Sequence, residues 1–337
     1  MPALTAWRPL AAFGLLLVLS GCALSPVLPP DEQQRIAGRT YVVTGASSGI
    51  GRGLTLRLAA LRAQVVLAAR RTEVLEEVAT LARAAGGQVL VVPTDVADAQ
   101  AVQRLAEAAV QRFGRIDVWV NNAGVGAIGR FEDIPAADHA RIVAVNLTGV
   151  IHGSHAALRQ FKRQGEGTLV NVGSVESVVP LAYQASYAAS KAGVLSLGRA
   201  LTEELRLAGL GDRIQVSTVL PWATDTPFFV NTANYSGRRP SMVLMDDPDK
   251  AIDAIVWASV HPVESLAVGW KGRAAVVGAR WMPDLTERIA ADVFHRVQME
   301  RAPPAPPTSG NLHQPLPTGT GVDGGVRERM RREQAAP

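Results

Sequence analysis

One cysteine, Cys22, is present among 337 residues. No internal disulfide can form, so the fold must be held by its core. Aromatic residues make up 5% and charged residues 19%. The net charge is only +4, and part of the surplus sits in a single run, Arg327-Glu-Arg-Met-Arg-Arg-Glu. Nowhere do basic residues interleave with aromatics, which argues against a nucleic-acid-binding surface. The six histidines form no metal set. His152 and His155 fall on one helical face but have no third ligand nearby. No apolar run reaches the roughly twenty residues that span a bilayer comfortably. What is present is 47% hydrophobic content, enough for a full core, over a length that suits one large or two small domains.

Arg8 is followed by an apolar run from Leu10 to Leu19 and then by Ser20-Gly21-Cys22. A short positive region before a short apolar run follows the grammar of an export signal. Leu19-Ser20-Gly21-Cys22 resembles the bacterial lipobox, whose cysteine is lipidated and becomes the first residue. The absence of Asp beside Cys22 would suit an outer-membrane destination. An uncleaved anchor is the alternative, but extending the run through Leu24 gives about fifteen apolar-rich residues, short of a span. The expectation is a lipoprotein-type signal or anchor over 1–22, a single domain over 38–300, and a Pro/Gly-rich tail over 301–337. Proline fixes φ and removes donors, so that tail is expected to be extended or disordered, with a short basic helix near Arg327–Arg332.

Between the ends, short β-branched runs alternate with helical patterns. Strands are expected at Tyr41–Val43, Val65–Ala69, Val89–Val92, Val118–Val120, Thr168–Val172, Gln215–Val219 and Ala274–Val277. Helices are expected at Leu54–Arg62, Thr72–Ala85, Asp98–Phe113, Asp138–Phe161, Ala185–Ala208 and Pro248–Ser259. Strands that are continuously apolar and separated by helices imply a parallel sheet buried on both faces. Right-handed crossovers make it an α/β doubly wound sheet.

The first strand runs into Thr44-Gly-Ala-Ser-Ser-Gly-Ile-Gly51 and then a helix. In that setting Gly45 permits a tight turn, Gly49 lets backbone approach a pyrophosphate, and Gly51 allows close helix–strand packing. The helix N-terminus then faces phosphate, with Ser47, Ser48 and Ile50 beside it. The second strand ends in Arg70-Arg71 and not in the acid that bonds ribose hydroxyls in NAD sites. A guanidinium fork suits a 2′-phosphate, so NADP(H) is the expected cofactor.

Asn121-Asn122-Ala123-Gly124, Ser174 and the run Tyr187-Ala-Ala-Ser-Lys191 follow in order. With the glycine turn they resemble the short-chain dehydrogenase/reductase family over roughly residues 39–278. The resemblance implies a Rossmann-type seven-stranded sheet, a homodimer or tetramer, and a small carbonyl or alcohol substrate. It assigns Asn146, Ser174, Tyr187 and Lys191 as catalytic, Asn146 holding a relay water. Asp95 with Val96 would meet adenine, and Asn122, Ala123 and Gly124 would steady the sheet and line the ribose. Pro221 and Thr226 would approach the nicotinamide. Tyr183 is a decoy, because its fourth successor is Tyr187.

Residues 187 and 191 lie one helical turn apart on one face. A free phenol is too weak an acid to serve near neutrality. A neighbouring ammonium would lower its pKa, and Ser174 would hold the substrate oxygen. Trp222 stands where the family often carries glycine, and Glu176 follows Ser174 where small residues are usual; a solvated carboxylate is the expectation for Glu176. Phe228, Phe229 and Val230, with Val178, Val179, Pro180 and Leu181, would form an apolar pocket. A non-catalytic, membrane-tethered dinucleotide sensor or scaffold is the competing reading. Membrane association through the N-terminus is expected, but its side stays open. Cofactor supply and Arg35 with Arg39 favour the cytoplasmic face, whereas Arg8 opposes it.

Overall fold

The computed structural model describes residues 25–335; the expected signal or anchor at 1–22 and Cys22 lie outside them. In chain order the first elements are β1 (Thr40–Thr44), α1 (Gly49–Ala60), β2 (Gln64–Ala69), α2 (Thr72–Ala84), β3 (Gln88–Pro93), α3 (Ala99–Phe113) and β4 (Val118–Asn121). Next come β5 (Ala127–Ile128), α4 (Ala136–Val143), a π-helical turn (Ala144–Thr148), α5 (Gly149–Gln164), β6 (Gly167–Val172), α6 (Ala185–Leu207) and β7 (Ile214–Leu220). After these stand α7 (Phe228–Asn231), β8 (Ala233–Asn234), α8 (Pro248–Val260), β9 (Ser265–Ala267), α9 (Gly269–Trp281), α10 (Pro283–Phe294) and α11 (Val326–Ala335).

Seven strands form one parallel sheet in the order β3-β2-β1-β4-β6-β7-β9. Successive side chains of a strand point to opposite faces, and both faces here are covered. Tyr41 and Val43 of β1 pack with Leu54 and Leu58 of α1 and Ile252 and Ile255 of α8. Val42 faces the other way, into a core with Leu105 of α3, Trp119 of β4 and Phe161 of α5. The chain order reverses at β1, between β2 and β4. A crevice therefore opens beyond the carboxyl ends of these strands, the place where open α/β sheets bind ligands.

Three sequence expectations change. Ala274–Val277 is not a strand but lies inside α9, and the seventh strand is Ser265–Ala267. Four apolar residues carry too little periodicity to separate strand from helix, and a three-residue edge strand leaves almost no signal. The single helix expected over Asp138–Phe161 is two helices joined by the π-helical turn that carries Asn146. The tail is extended, as its prolines require, but it is seated on the domain. Thr308 forms an antiparallel bridge with Asn234, and α11 closes the chain.

Candidate active site

The turn after β1 is built for close approach. Gly45 has φ +70°, and a Cβ there would stand 2.9 Å from the Ala123 Cα. A Cβ at Gly51 would run into the Gly45 carbonyl. The turn is thus pressed against the Asn122–Gly124 segment after β4. Thr44 Oγ1 accepts from the backbone amides of Asn122 (2.9 Å) and Ala123 (3.1 Å), and Asn122 Nδ2 donates to Thr44 O (2.8 Å). Asn121 extends the brace, donating to Asn171 Oδ1 of β6 at 2.9 Å. The expected sheet-steadying role is visible here as hydrogen bonds across β1, β4 and β6.

One continuous cleft runs along these loops. Ser47, Ser48, Gly49 and Ile50 line it beside Arg70 and Arg71; Asp95, Val96 and Asn122–Gly124 line its middle. Ser174, Tyr187, Lys191, Pro221, Trp222 and Thr226 surround its other end. Gly45 completes the lining, whereas Gly51 sits behind the turn as packing.

At the far end the helix spacing does its work. Tyr187 and Lys191 occupy successive turns of α6, with the Lys191 Nζ 5.8 Å from the Tyr187 ring centroid. Lys191 Nζ donates to Val172 O at 2.8 Å. Ser174 meets the phenol from the loop after β6, and its Oγ also accepts from Glu176 N (3.1 Å). Asn146 Oδ1 accepts from Val125 N at 2.9 Å, and its Nδ2 donates to Val125 O (2.9 Å) and Ser190 Oγ (3.1 Å). It therefore ties the π-helical turn to both the β4 loop and α6. Single π turns cluster at functional sites because the extra residue re-aims a side chain.

Residues 39–235 match the family model described as short chain dehydrogenase, more than half of the chain. An uncharacterized oxidoreductase of Bacillus subtilis, YxnA, is 31% identical over 83% of this chain and 79% of its own length. The alcohol dehydrogenase of Thermococcus sibiricus, solved with 5-hydroxy-NADP, superposes with a TM-score of 0.58 at 28% identity, covering 67% of this chain and 92% of that one. The 3-ketoacyl-(acyl-carrier-protein) reductase of Brucella melitensis, solved with NADH, gives a TM-score of 0.60 at 29% identity, covering 68% and 96%.

The chain belongs to the short-chain dehydrogenase family.

Two features of this short-chain dehydrogenase were not legible in its sequence. The first is electrostatic. Burial holds the Tyr187 phenol above its ordinary range; Glu176 adds to the effect, and the Ser174 hydrogen bond opposes it. The expected lowering by Lys191 does not appear. That ammonium is bonded to Val172 O, is itself pushed down to about 8 by burial, and is countered by Glu176. Glu176 is not the solvated carboxylate expected. Its Oε2 is sealed from solvent without a partner, and burial pushes it up to about 8 against the Leu181 amide and Lys191. Its place two residues after Ser174 was the one available signal.

The second feature is the tail. Arg70 donates to the carbonyls of Asn311 (2.6 Å), Leu312 (3.1 Å) and His313 (3.2 Å). Arg71 donates to those of Leu316 (2.9 Å) and Thr318 (3.3 Å), and Arg52 to that of Thr320 (3.0 Å). The Gly49 amide donates to Gly321 O at 2.8 Å. A proline-rich strand lacks donors but keeps every carbonyl. Donor side chains of the domain therefore order it. Arg141, unnoticed in the sequence, joins both partners, donating to Asp95 Oδ2 (2.6 Å) and Leu312 O (3.0 Å). Asp95 lines the cleft as expected but is held by this guanidinium, which keeps its carboxyl below the usual range although burial acts against it.

The apolar pocket is only partly as expected. Phe228 and Phe229 line the cleft, and Phe228 stacks obliquely on Tyr187 with centroids 5.4 Å apart. Leu181 packs against Phe229 and its cluster, whereas Val230 points to solvent. Trp222 takes its place in the lining, its Nε1 donating to Leu244 O at 3.0 Å.

Proposed function

We propose that the chain is an NADP(H)-dependent oxidoreductase that interconverts a carbonyl and a secondary alcohol. The supporting observation is that one cleft has two guanidiniums at one end and Ser174, Tyr187 and Lys191 at the other. The glycine turn, pressed on the Asn122–Gly124 loop, fits a nicotinamide dinucleotide. When bound, that group supplies or accepts the hydride. Tyr187 gives the proton to the carbonyl oxygen in one direction and takes it back in the other. Ser174 holds that oxygen by a hydrogen bond beside the phenol. Lys191, close to neutral pH in its proton affinity, biases the phenol when its charge is turned from Val172 O toward the cleft. Asn146 holds the π-helical turn to α6 and so positions Lys191. Phe228 and Phe229 favour an apolar substrate, and residues 1–22 attach the enzyme to a membrane.

The assignment of NADP(H) rests on Arg70 and Arg71 and on the missing acid after β2. A phosphate dianion is a stronger acceptor than a neutral carbonyl, so it displaces the tail from Arg70. One observation favours NAD(H) instead: Arg70 already has three acceptors. Purified full-length protein, given NADPH or NADH and a panel of ketones, separates these. Faster NADPH oxidation is expected; preference for NADH would assign Arg70 to the tail alone. Tight binding of either without turnover would leave a sensor.

A further inference from the structure

Helices α9 and α10 form a hairpin joined at Met282. Sixteen large apolar side chains are exposed among the described residues, and seven of them fall between Trp270 and Val293. On α9, Trp270, Val277 and Trp281 repeat at helical spacing, with the small, exposed Ala274 between them. On α10, Leu285, Ile289 and Val293 repeat every four residues; Met282 is exposed at the corner. In an ordinary surface helix such stripes face the core. Here the inward side is occupied by other residues: Gly272 backs onto Val175, and Phe294 is buried in the cluster beneath. Trp281 is left 75% exposed. An apolar concentration of this kind marks a surface that meets a partner.

Three observations identify that partner as a lipid surface. The described chain begins at Ser25, whose Oγ lies beside Gly269, the first residue of α9. Ser25 is the third residue after Cys22 in sequence, so the described chain starts at the foot of this hairpin. Tryptophans stand at both ends of α9, and the indole ring, apolar with one polar N–H, is the side chain that settles at a membrane–water boundary. Finally, Arg280, Asp284, Glu287 and Arg288 lie exposed among the apolar positions, and no helix among the described residues is long and apolar enough to cross a membrane. That pattern suits a helix lying in the interface plane.

We propose that the α9–α10 hairpin docks its apolar face into a bilayer interface and sets the mouth of the cleft against the lipid. Helix α9 packs directly behind the site. Val175, behind Gly272, follows Ser174 directly, and Lys271 Nζ and Trp222 Nε1 both donate to the carbonyl of the exposed Leu244. Resting on the oxidoreductase reading, this placement makes the substrate a carbonyl or alcohol that partitions into the membrane and reaches the cleft from it.

The test reads lipid contact and not turnover. In the full chain carrying Cys22→Ser, an environment-sensitive fluorophore is attached at Ile289→Cys or, as control, at Leu207→Cys, 76% exposed at the end of α6. Vesicles of phosphatidylcholine and phosphatidylglycerol bearing a spin-labelled lipid quencher are then added. The label at 289 is expected to shift to the blue and lose most of its emission, the label at 207 to keep its own, and Val277→Glu with Trp281→Glu to abolish the response. No response at 289 in vesicle-bound protein would overturn the proposal, since tethering by the N-terminus would then act alone. A label at 289 already blue-shifted without vesicles would also overturn it. Concentration dependence would name a second copy as the occupant, and its absence the chain's own N-terminal segment.

Discussion

At Tyr187, Lys191 and Glu176 burial sets the direction of every shift; Glu176 adds to that of Tyr187 and opposes that of Lys191. Glu176 titrates at about 8 in the fold against 4.5 for a free side chain. Between those values the folded protein holds a proton that the unfolded chain has released. Its contribution to stability is fully present below pH 4.5 and is lost as pH rises through about 8. Lys191 runs oppositely, because its value is depressed from 10.5 to about 8; its contribution is present above 10.5 and lost as pH falls through about 8. Glu176→Gln should therefore match wild-type thermal stability near pH 4.5 and exceed it increasingly toward pH 8. Melting curves across that range check this, and a difference independent of pH would sink the assignment. Arg70→Ala should weaken NADPH by about tenfold or more, the worth of a charge-assisted hydrogen bond, and NADH far less. Titration of both cofactors measures it, and equal losses would remove Arg70 from the choice between them.

The glycine turn, the Asn122 loop and α6 could be read from the sequence because each motif carries its own local geometry. Tyr187 and Lys191 share a face wherever a helix forms, and α6 forms over the expected residues. Elements that depend on distant partners could not be read. The edge strand β9 is only three residues long and owes its pairing to Thr218–Leu220. The π turn at Asn146 leaves no trace in periodicity. The tail has no repeating pattern at all; its order comes from arginines more than 200 positions away. Asp225 fixes its far end, its carboxylate accepting from Val326 N (2.9 Å), Arg327 N (3.0 Å) and Arg327 Nε (2.9 Å). Removing that buried acceptor leaves several donors unpaired. Asp225→Ala should cost about 1–3 kcal/mol in a denaturant titration, and limited proteolysis should then cut between α10 and α11. A tail still protected in the variant would show that the guanidinium contacts suffice.

Across the whole molecule, the sheet brings two chemistries to one crevice from sequence positions over a hundred residues apart. Arg70, at the end of β2, and Tyr187, on α6, line the same cleft because β1 and β4 sit side by side where the strand order turns back. The tail crosses the Arg70–Arg71 end of that cleft, while α9 packs behind Val175, next to Ser174, near the other. The doubly wound fold was expected from alternating strands and helices, but the relation of the two chain ends to the cleft was not, since it exists only in three dimensions. In the proposed reaction the Tyr187 oxygen carries the proton. Steady-state turnover of Tyr187→Phe, with cofactor affinity measured on the same preparation, tests it most directly. A fall in kcat of at least about a hundredfold with cofactor binding unchanged is expected; wild-type turnover in that variant would contradict the role of Tyr187.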